Sequence, residues 1–383
     1  MHMTRMIWTT CWTTCCLASL ALGACEDGGA KKPTRGSAST RSSARQNVES
    51  DSDIITPRGT QSAMADREPP ASKVPQLNSN ERASLREKAL MLLANTAQAG
   101  SPEERANALE SLVQTPARLS GVAETALQDQ NVGVRAVAAL AIGKAKLANL
   151  APRLRPLLQD ENPFVRASAI FALKRCGQTI DPSPLAGYLF EPDPRLRAHA
   201  AYVLGELGEK SAIPLLRDAH KERSARVNPS AIKISDLQLA EARVKLGDES
   251  AIADIRTALY PAKPEDLEAA VLAIQIVGQV KDTASTNRLI EMTATKDESG
   301  AEIPGELRVA AATALARLGQ PQGSYIAREY FRGGKEALRA QSANLFGETQ
   351  RPENLQLVSQ LMDDPDGRVR VAAAAAVVKI TDR

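Results

Sequence analysis

The sequence predicts an all-α protein, a right-handed α-solenoid of stacked helical hairpins preceded by a disordered tether. Three observations predict it. An apolar-Arg pair recurs at a fixed step: Val134-Arg135, Val165-Arg166 and Leu196-Arg197 lie 31 residues apart, as do Leu307-Arg308, Leu338-Arg339 and Val369-Arg370. A period in this range marks a repeat array. Around each anchor arginine the residues at −1, +3, +4 and +7 are mostly apolar, as in Val134, Ala138, Ala139 and Ile142, which is one face of a helix. Aromatic residues make up only 3% of the chain and both tryptophans, Trp8 and Trp12, precede the array, so its core is aliphatic and alanine-rich. Small side chains suit helices that approach closely.

Met1 to Ala24 carries a basic residue, Arg5, a modestly apolar stretch from Met6 to Leu22 and small residues before Cys25. That is the layout of a secretory signal, too short and too threonine-rich for a membrane-spanning helix. Its end, Leu22-Gly23-Ala24-Cys25, resembles the lipobox of bacterial lipoproteins. The resemblance implies cleavage before Cys25, lipidation of that cysteine and attachment to a membrane through several acyl chains. Glu26, the next residue, leaves the choice between inner and outer membrane open. From residue 25 to Ser79 the chain is rich in Ser, Thr, Ala, Pro and mixed charge and lacks Phe, Trp and Tyr, so it cannot offset ordering entropy and reads as a linker. A flexible coil of that length spans roughly 40 Å end to end.

The array occupies residues 80–383. Asn80 to Gln98 has helical spacing through Leu85, Ala89, Leu92 and Leu93 and reads as a cap, and Pro102 to Gln114 is a degenerate first unit around Arg105. Further anchors follow at Arg135, Arg166, Arg197, Arg308, Arg339 and Arg370, with Gln238 and Glu268 filling two weaker slots. Asn131, Asn162, Asp193 and Asp366 stand four residues before their anchors, where a short polar side chain caps a helix; Pro163 and Pro194 follow at a position that tolerates proline. Gly143, Gly177, Gly205, Gly208, Gly319 and Gly347 read as helix ends. A second apolar segment then completes each hairpin, and such hairpins bury their apolar faces only by stacking.

The resulting shape, Asp-x-Asn/Asp-Pro-x-Val-Arg followed by small residues and Leu-Gly, resembles the short HEAT-like repeat associated with phycobilisome lyases, over roughly Ser101 to Arg383. The resemblance implies stacked helical hairpins. It does not choose among bilin lyases, a di-iron hydroxylase and non-catalytic scaffolds, because function resides in sites rather than folds.

Two steps are long on this register, and they place insertions at His220 to Lys233 and Thr293 to Gly305. They read either as walls of a recognition site or as tolerated loops. The chain stops after a first helix, with Val371, Ala375 and Val378 expected to face outward as a docking end or a bare one.

The acids six residues before the anchors, Asp129, Asp160, Glu191, Glu302 and Asp364, together with Arg135, Arg166, Arg197, Arg308, Arg339 and Arg370, read as a structural ladder between units. A second row, Arg155, Arg217, Arg288 and Arg328, recurs on the second helices. It reads either as a partner-binding stripe on the concave side or as a solvated face.

Composition narrows the function classes. Residues 81–383 hold 39 basic against 38 acidic side chains, so there is no electrostatic footprint for nucleic acid. Three histidines, His2, His199 and His220, are too few and wrongly placed for a metal site of the hydroxylase kind. Cys176 stands alone in the array, with no partner marked for catalysis or a disulfide. No phosphate loop or nucleophile elbow is present.

We therefore expect a non-catalytic protein–protein interaction scaffold or adaptor, lipid-anchored in the cell envelope on the periplasmic or extracellular side. It is expected to have a protein partner and no cofactor, metal, nucleic acid or small-molecule substrate. The alternative is a bilin-lyase-like chaperone that holds a client protein, or an enzyme whose site no motif marks.

Overall fold

The computed structural model describes residues 77–221 and 228–382. The signal segment 1–24, Cys25, most of the linker and part of the first insertion lie outside the described residues.

Eighteen α-helices lie among the described residues, and all but the one at Glu336–Thr349 begin at a side-chain cap, a proline or a short 3-10 turn. In chain order they are α1 (Ser79–Ala99), α2 (Pro102–Ser111), α3 (Pro116–Ala126), α4 (Val132–Ala145), α5 (Ala151–Leu154), α6 (Pro163–Arg175), α7 (Pro184–Tyr188), α8 (Pro194–Leu207) and α9 (Ile213–Ala219). The second half comprises α10 (Pro229–Lys245), α11 (Ile252–Thr257), α12 (Leu267–Val280), α13 (Thr286–Met292), α14 (Gly305–Arg317), α15 (Ser324–Tyr330), α16 (Glu336–Thr349), α17 (Leu355–Leu361) and α18 (Gly367–Thr381). From α2 onward the even-numbered helices are the first helices of nine units and the odd-numbered ones the second helices.

The capping logic is visible in the hydrogen bonds. Asn131, Asn162, Asp193 and Asp366 each accept a bond from a backbone N–H in the following turn. Asn78 with Glu81 and Ser101 with Glu104 form reciprocal capping boxes at the starts of α1 and α2. First helices end on a left-handed residue eleven positions after the anchor: Lys146, Gly177, Gly208, Gly319 and Gln350. Gly143, Gly205 and Gly347 do not end helices; they lie inside them. A Cβ at each would meet Ala172, Ala242 or Ala376 of the next first helix within 3.0 Å of Cα, so they are points of close approach between units.

The same rule corrects the register of the two weak units. Their left-handed residues are Gly247 and Lys281, so eleven positions back the anchor slots fall on Asp236 and Ala270, not on Gln238 and Glu268. The steps from Arg197 to Arg308 are then 39, 34 and 38 residues (236−197, 270−236 and 308−270). Three consecutive connections are lengthened rather than two separated ones.

The array does not end bare. Successive first helices pack on one another from α2 to α18, and α18 packs in turn on both α1 and α2. The hairpins therefore close into a ring. In it α1 is the missing second helix of the ninth unit rather than a cap. Val371, Ala375 and Val378, expected to face outward, are 2%, 6% and 2% exposed, in part because they pack against this N-terminal helix. Ala89, Leu90 and Leu93 of α1 share one continuous apolar core with Val369, Ala373 and Val377 of α18. Arg86 reaches Asp382 at 2.7 Å across the same seam.

Candidate functional site

Two faces of the ring have a distinct chemistry, and both follow from repeat positions. The first is its centre. Lys144 on α4 and Lys245 on α10 each lie 5.5 Å from the ring centroid of Tyr202 on α8. Side chains of non-adjacent units meet only on the inner side of a curved array, so the first helices line the interior and the short second helices lie outside. The second helices do not form the concave side, contrary to expectation.

The interior is closed by charge pairs. Lys245 bonds Glu206 and Glu241, each at 2.7 Å, and Lys144 lies 3.6 Å from Glu110. Further round, Glu348 takes both Arg317, at 2.9 Å, and Lys379. Burial alone would pull the Lys245 ammonium down and push the Glu348 carboxyl up. Glu241 and Glu206 outweigh it at Lys245, and Arg317 and Lys379 at Glu348, so both stay charged.

Beside this cluster His199 is buried, with its Nε2 3.1 Å from the Phe164 carbonyl and 3.0 Å from Ser168 Oγ. The carbonyl only accepts, so Nε2 carries the proton. Burial, resisted in part by the Phe164 carbonyl, pulls the imidazole from 6.5 to about 4. The fold thus accepts the neutral ring: its contribution is complete above pH 6.5, falls as the unfolded chain takes a proton first, and levels off below pH 4. We expect acid to remove about 3 kcal/mol across this window. A His199→Leu variant should lose that slope in urea melts taken at successive pH values; an unchanged slope would assign it to the carboxylates instead.

The anchor arginines tie units together at the rim where first helices begin. Arg135 bonds Asp160 of the next unit at 2.9 Å and the Asp129 carbonyl of its own loop at 2.8 Å. Arg339 does the same with Asp364 and Gly334. Arg166 substitutes the Tyr188 hydroxyl, and Arg308 takes Thr293 O, Glu329 and Tyr330 rather than Glu302. Arg197 bonds the carbonyls of Glu191 and Pro192, and Arg370 those of Asp364 and Pro365.

The second row is also occupied by contacts between units. Arg155 bonds Gln178, Arg217 bonds Asp248 at 3.0 Å, and Arg328 reaches Asn354. Arg256, which the shifted register hid, belongs to this row and grips Asp282 with two bonds of 2.9 and 2.6 Å. A hydrogen bond from Arg217 helps hold Asp248 well below the usual carboxylate range, and hydrogen bonds from Arg256 lower Asp282. Arg288 is two residues out of register and turns back to the Leu259 carbonyl, with its guanidinium 4.2 Å from the ring centroid of Tyr260.

That pair opens the second face. Tyr260 is 62% exposed, the most exposed large hydrophobic side chain among the described residues. It begins the middle one of the three lengthened connections, all of which emerge at the rim where first helices start. The connection from Thr293 to Pro304 is ordered: Lys296 and Glu302 form an antiparallel bridge, and Asp297 accepts from the N–H groups of Ser299 and Ala301. A cation–aromatic pair beside a structured loop is suited to a polar protein surface. No group of three or more His, Cys, Asp or Glu side chains suited to a metal occurs among the described residues. Cys176 is buried, and burial pushes its thiol up.

Comparison with known proteins agrees with the repeat reading. The model for HEAT repeats matches residues 90–174 and 119–189, and that for the PBS lyase HEAT-like repeat matches 196–219. Residues 90–189 and 196–219 thus carry HEAT-like repeats, and the fold is an α-solenoid. No curated protein matches the sequence. Among solved structures it is similar to the complex of CpcE and CpcF of phycocyanin lyase from Nostoc sp. PCC7120, at 18% identity over 74% of this chain and 98% of that one, TM-score 0.37. It is also similar to human deoxyhypusine hydroxylase in complex with glycerol, at 16% identity over 70% and 98%, TM-score 0.34. An engineered protein is similar at 14% identity over 85% and 96%, TM-score 0.32.

Proposed function

We propose that this chain is a protein-interaction scaffold, held to a membrane of the cell envelope through Cys25, that engages its partner at the rim around Tyr260 and the 293–304 loop. The observation that carries the reading is the concentration of three consecutive lengthened connections on one rim, beside the exposed Tyr260 and Arg288 pair. The interior, by contrast, is taken up by its own ion pairs. HEAT repeats supply extended surfaces of this kind. No helix among the described residues is long and apolar enough to cross a membrane, so attachment in this reading rests on the Leu22 to Cys25 segment.

Two measurements test it. A photo-crosslinking residue at Tyr260 or Glu298 in cells should capture one discrete protein that the same residue at Asn149, on the opposite rim, does not; equal capture at both rims would refute the rim assignment. Replacement Cys25→Ser should move the protein from the membrane pellet to the soluble fraction. A variant that stays in the pellet would remove the lipid anchor from the account.

The match of residues 196–219 to the PBS lyase HEAT-like repeat favours, as a second reading, a chaperone that holds a chromophore-bearing client. Visible absorbance of the purified protein, or pigment released on denaturation, would select it.

A further inference from the structure

We infer that α1 is a separable strap, which leaves the ring as one unit while the first helices α4 to α16 stay stacked. Three observations place the weak joint there. Every other second helix is held by the chain at both ends within the ring, whereas α1 is joined to it only through Gly100 and Ser101. Its other side, against α18, is held without covalent continuity.

The rim ladder also lacks a rung at this point, as it does after Arg197. Arg105, Arg135 and Arg339 each reach a carboxylate of the following unit. Arg370 bonds only the carbonyls of its own loop, because the position six before Arg105 is Ala99, whereas Asp129, Asp160 and Asp364 fill it for Arg105, Arg135 and Arg339. What bridges α1 to the ninth unit instead is exposed: Arg86 with Asp382, and Lys88 with Asp363 at 3.4 Å. Exposed pairs of this kind hold weakly and are screened by salt.

Nearby on α2, facing Arg368 of α18, the half-buried Glu103 carboxyl has its Oε1 out of solvent without a hydrogen-bond partner. Burial pushes it up despite Arg368. A poorly satisfied polar group at a joint lowers the cost of opening it. Detachment bares the parts of α18 and α2 that α1 covers and leaves the ring closed only where α18 meets α2, while the remaining units still stack on their neighbours.

Hydrogen–deuterium exchange on the full chain tests this, read at the buried middle of α1, Leu90 to Leu93, which lies turns away from either fraying end. We expect these amides to exchange at least ten-fold faster than Leu140 to Gly143 in α4, and faster again in high salt. Supplying the missing rung with Ala99→Asp should slow α1 several-fold and leave α4 unchanged. Equal protection of α1 and α4 overturns the inference, and so does a fast α1 that salt and Ala99→Asp both leave untouched.

Discussion

Replacing Glu348 by alanine should destabilise the protein by about 3–5 kcal/mol, the range for breaking a buried ion pair from one side. The Glu348 carboxylate is shared: Oε1 accepts from Arg317 Nε and Nη2, at 3.0 and 2.9 Å, and Oε2 takes Lys379. All three groups are largely out of solvent. Without the carboxylate two cations face each other across an interior that water cannot fully reach, so the loss contains their repulsion as well as the lost bonds. Lys379→Met should cost far less, because it leaves a neutral Glu348–Arg317 pair intact. The three residues come from the seventh, eighth and ninth units, so the deficit should appear as earlier loss of that part of the ring. Urea melts followed by circular dichroism measure the sum; a loss below about 1 kcal/mol for Glu348→Ala would mean that water reaches the interior and that the centre of the ring is open.

Much of this architecture is written locally, and the part that is not has a common cause. Asn131, Asn162, Asp193 and Asp366 cap helices as their spacing says, because capping is decided within one turn. Arg135 and Arg339 find partners because a residue at a fixed repeat position meets the same neighbour in every unit. Closure is different in kind. Whether α18 meets α1 depends on nine small rotations added together, and no single residue encodes the sum. Val371 and Val378 therefore look outward in the sequence and are buried in the ring. The register error has a smaller cause: the weak units lack the anchor arginine, so apolar spacing alone placed them two residues away from the slots their left-handed ends define. That shift hid Arg256 from its row and put Arg288 into it. Gly143 looks like a helix end in the sequence because glycine serves both helix ends and close contacts, and only the neighbouring helix distinguishes the two.

The distinction at Gly143 yields the other large effect. A Cβ there would lie 2.7 Å from Phe171 Cε1 and 2.8 Å from Ala172 Cα. A flexible side-chain tip would yield, but Ala172 Cα is backbone of α6, so α4 and α6 must separate along the interface. Gly143→Ala gains about 1 kcal/mol of helix propensity and loses more than it gains to overpacking; Gly143→Val, which also adds a branch at the same point, should cost about 3 kcal/mol in all. Gly121 supplies the opposite sign. It sits inside α3 with nothing within 4 Å of its would-be Cβ, so Gly121→Ala should stabilise by about 0.5–1 kcal/mol. The same substitution in two helices of one ring then moves the urea midpoint in opposite directions. A stabilised Gly143→Ala would show that the first helices stand further apart than this ring requires, and with them the closure at α18 would fall.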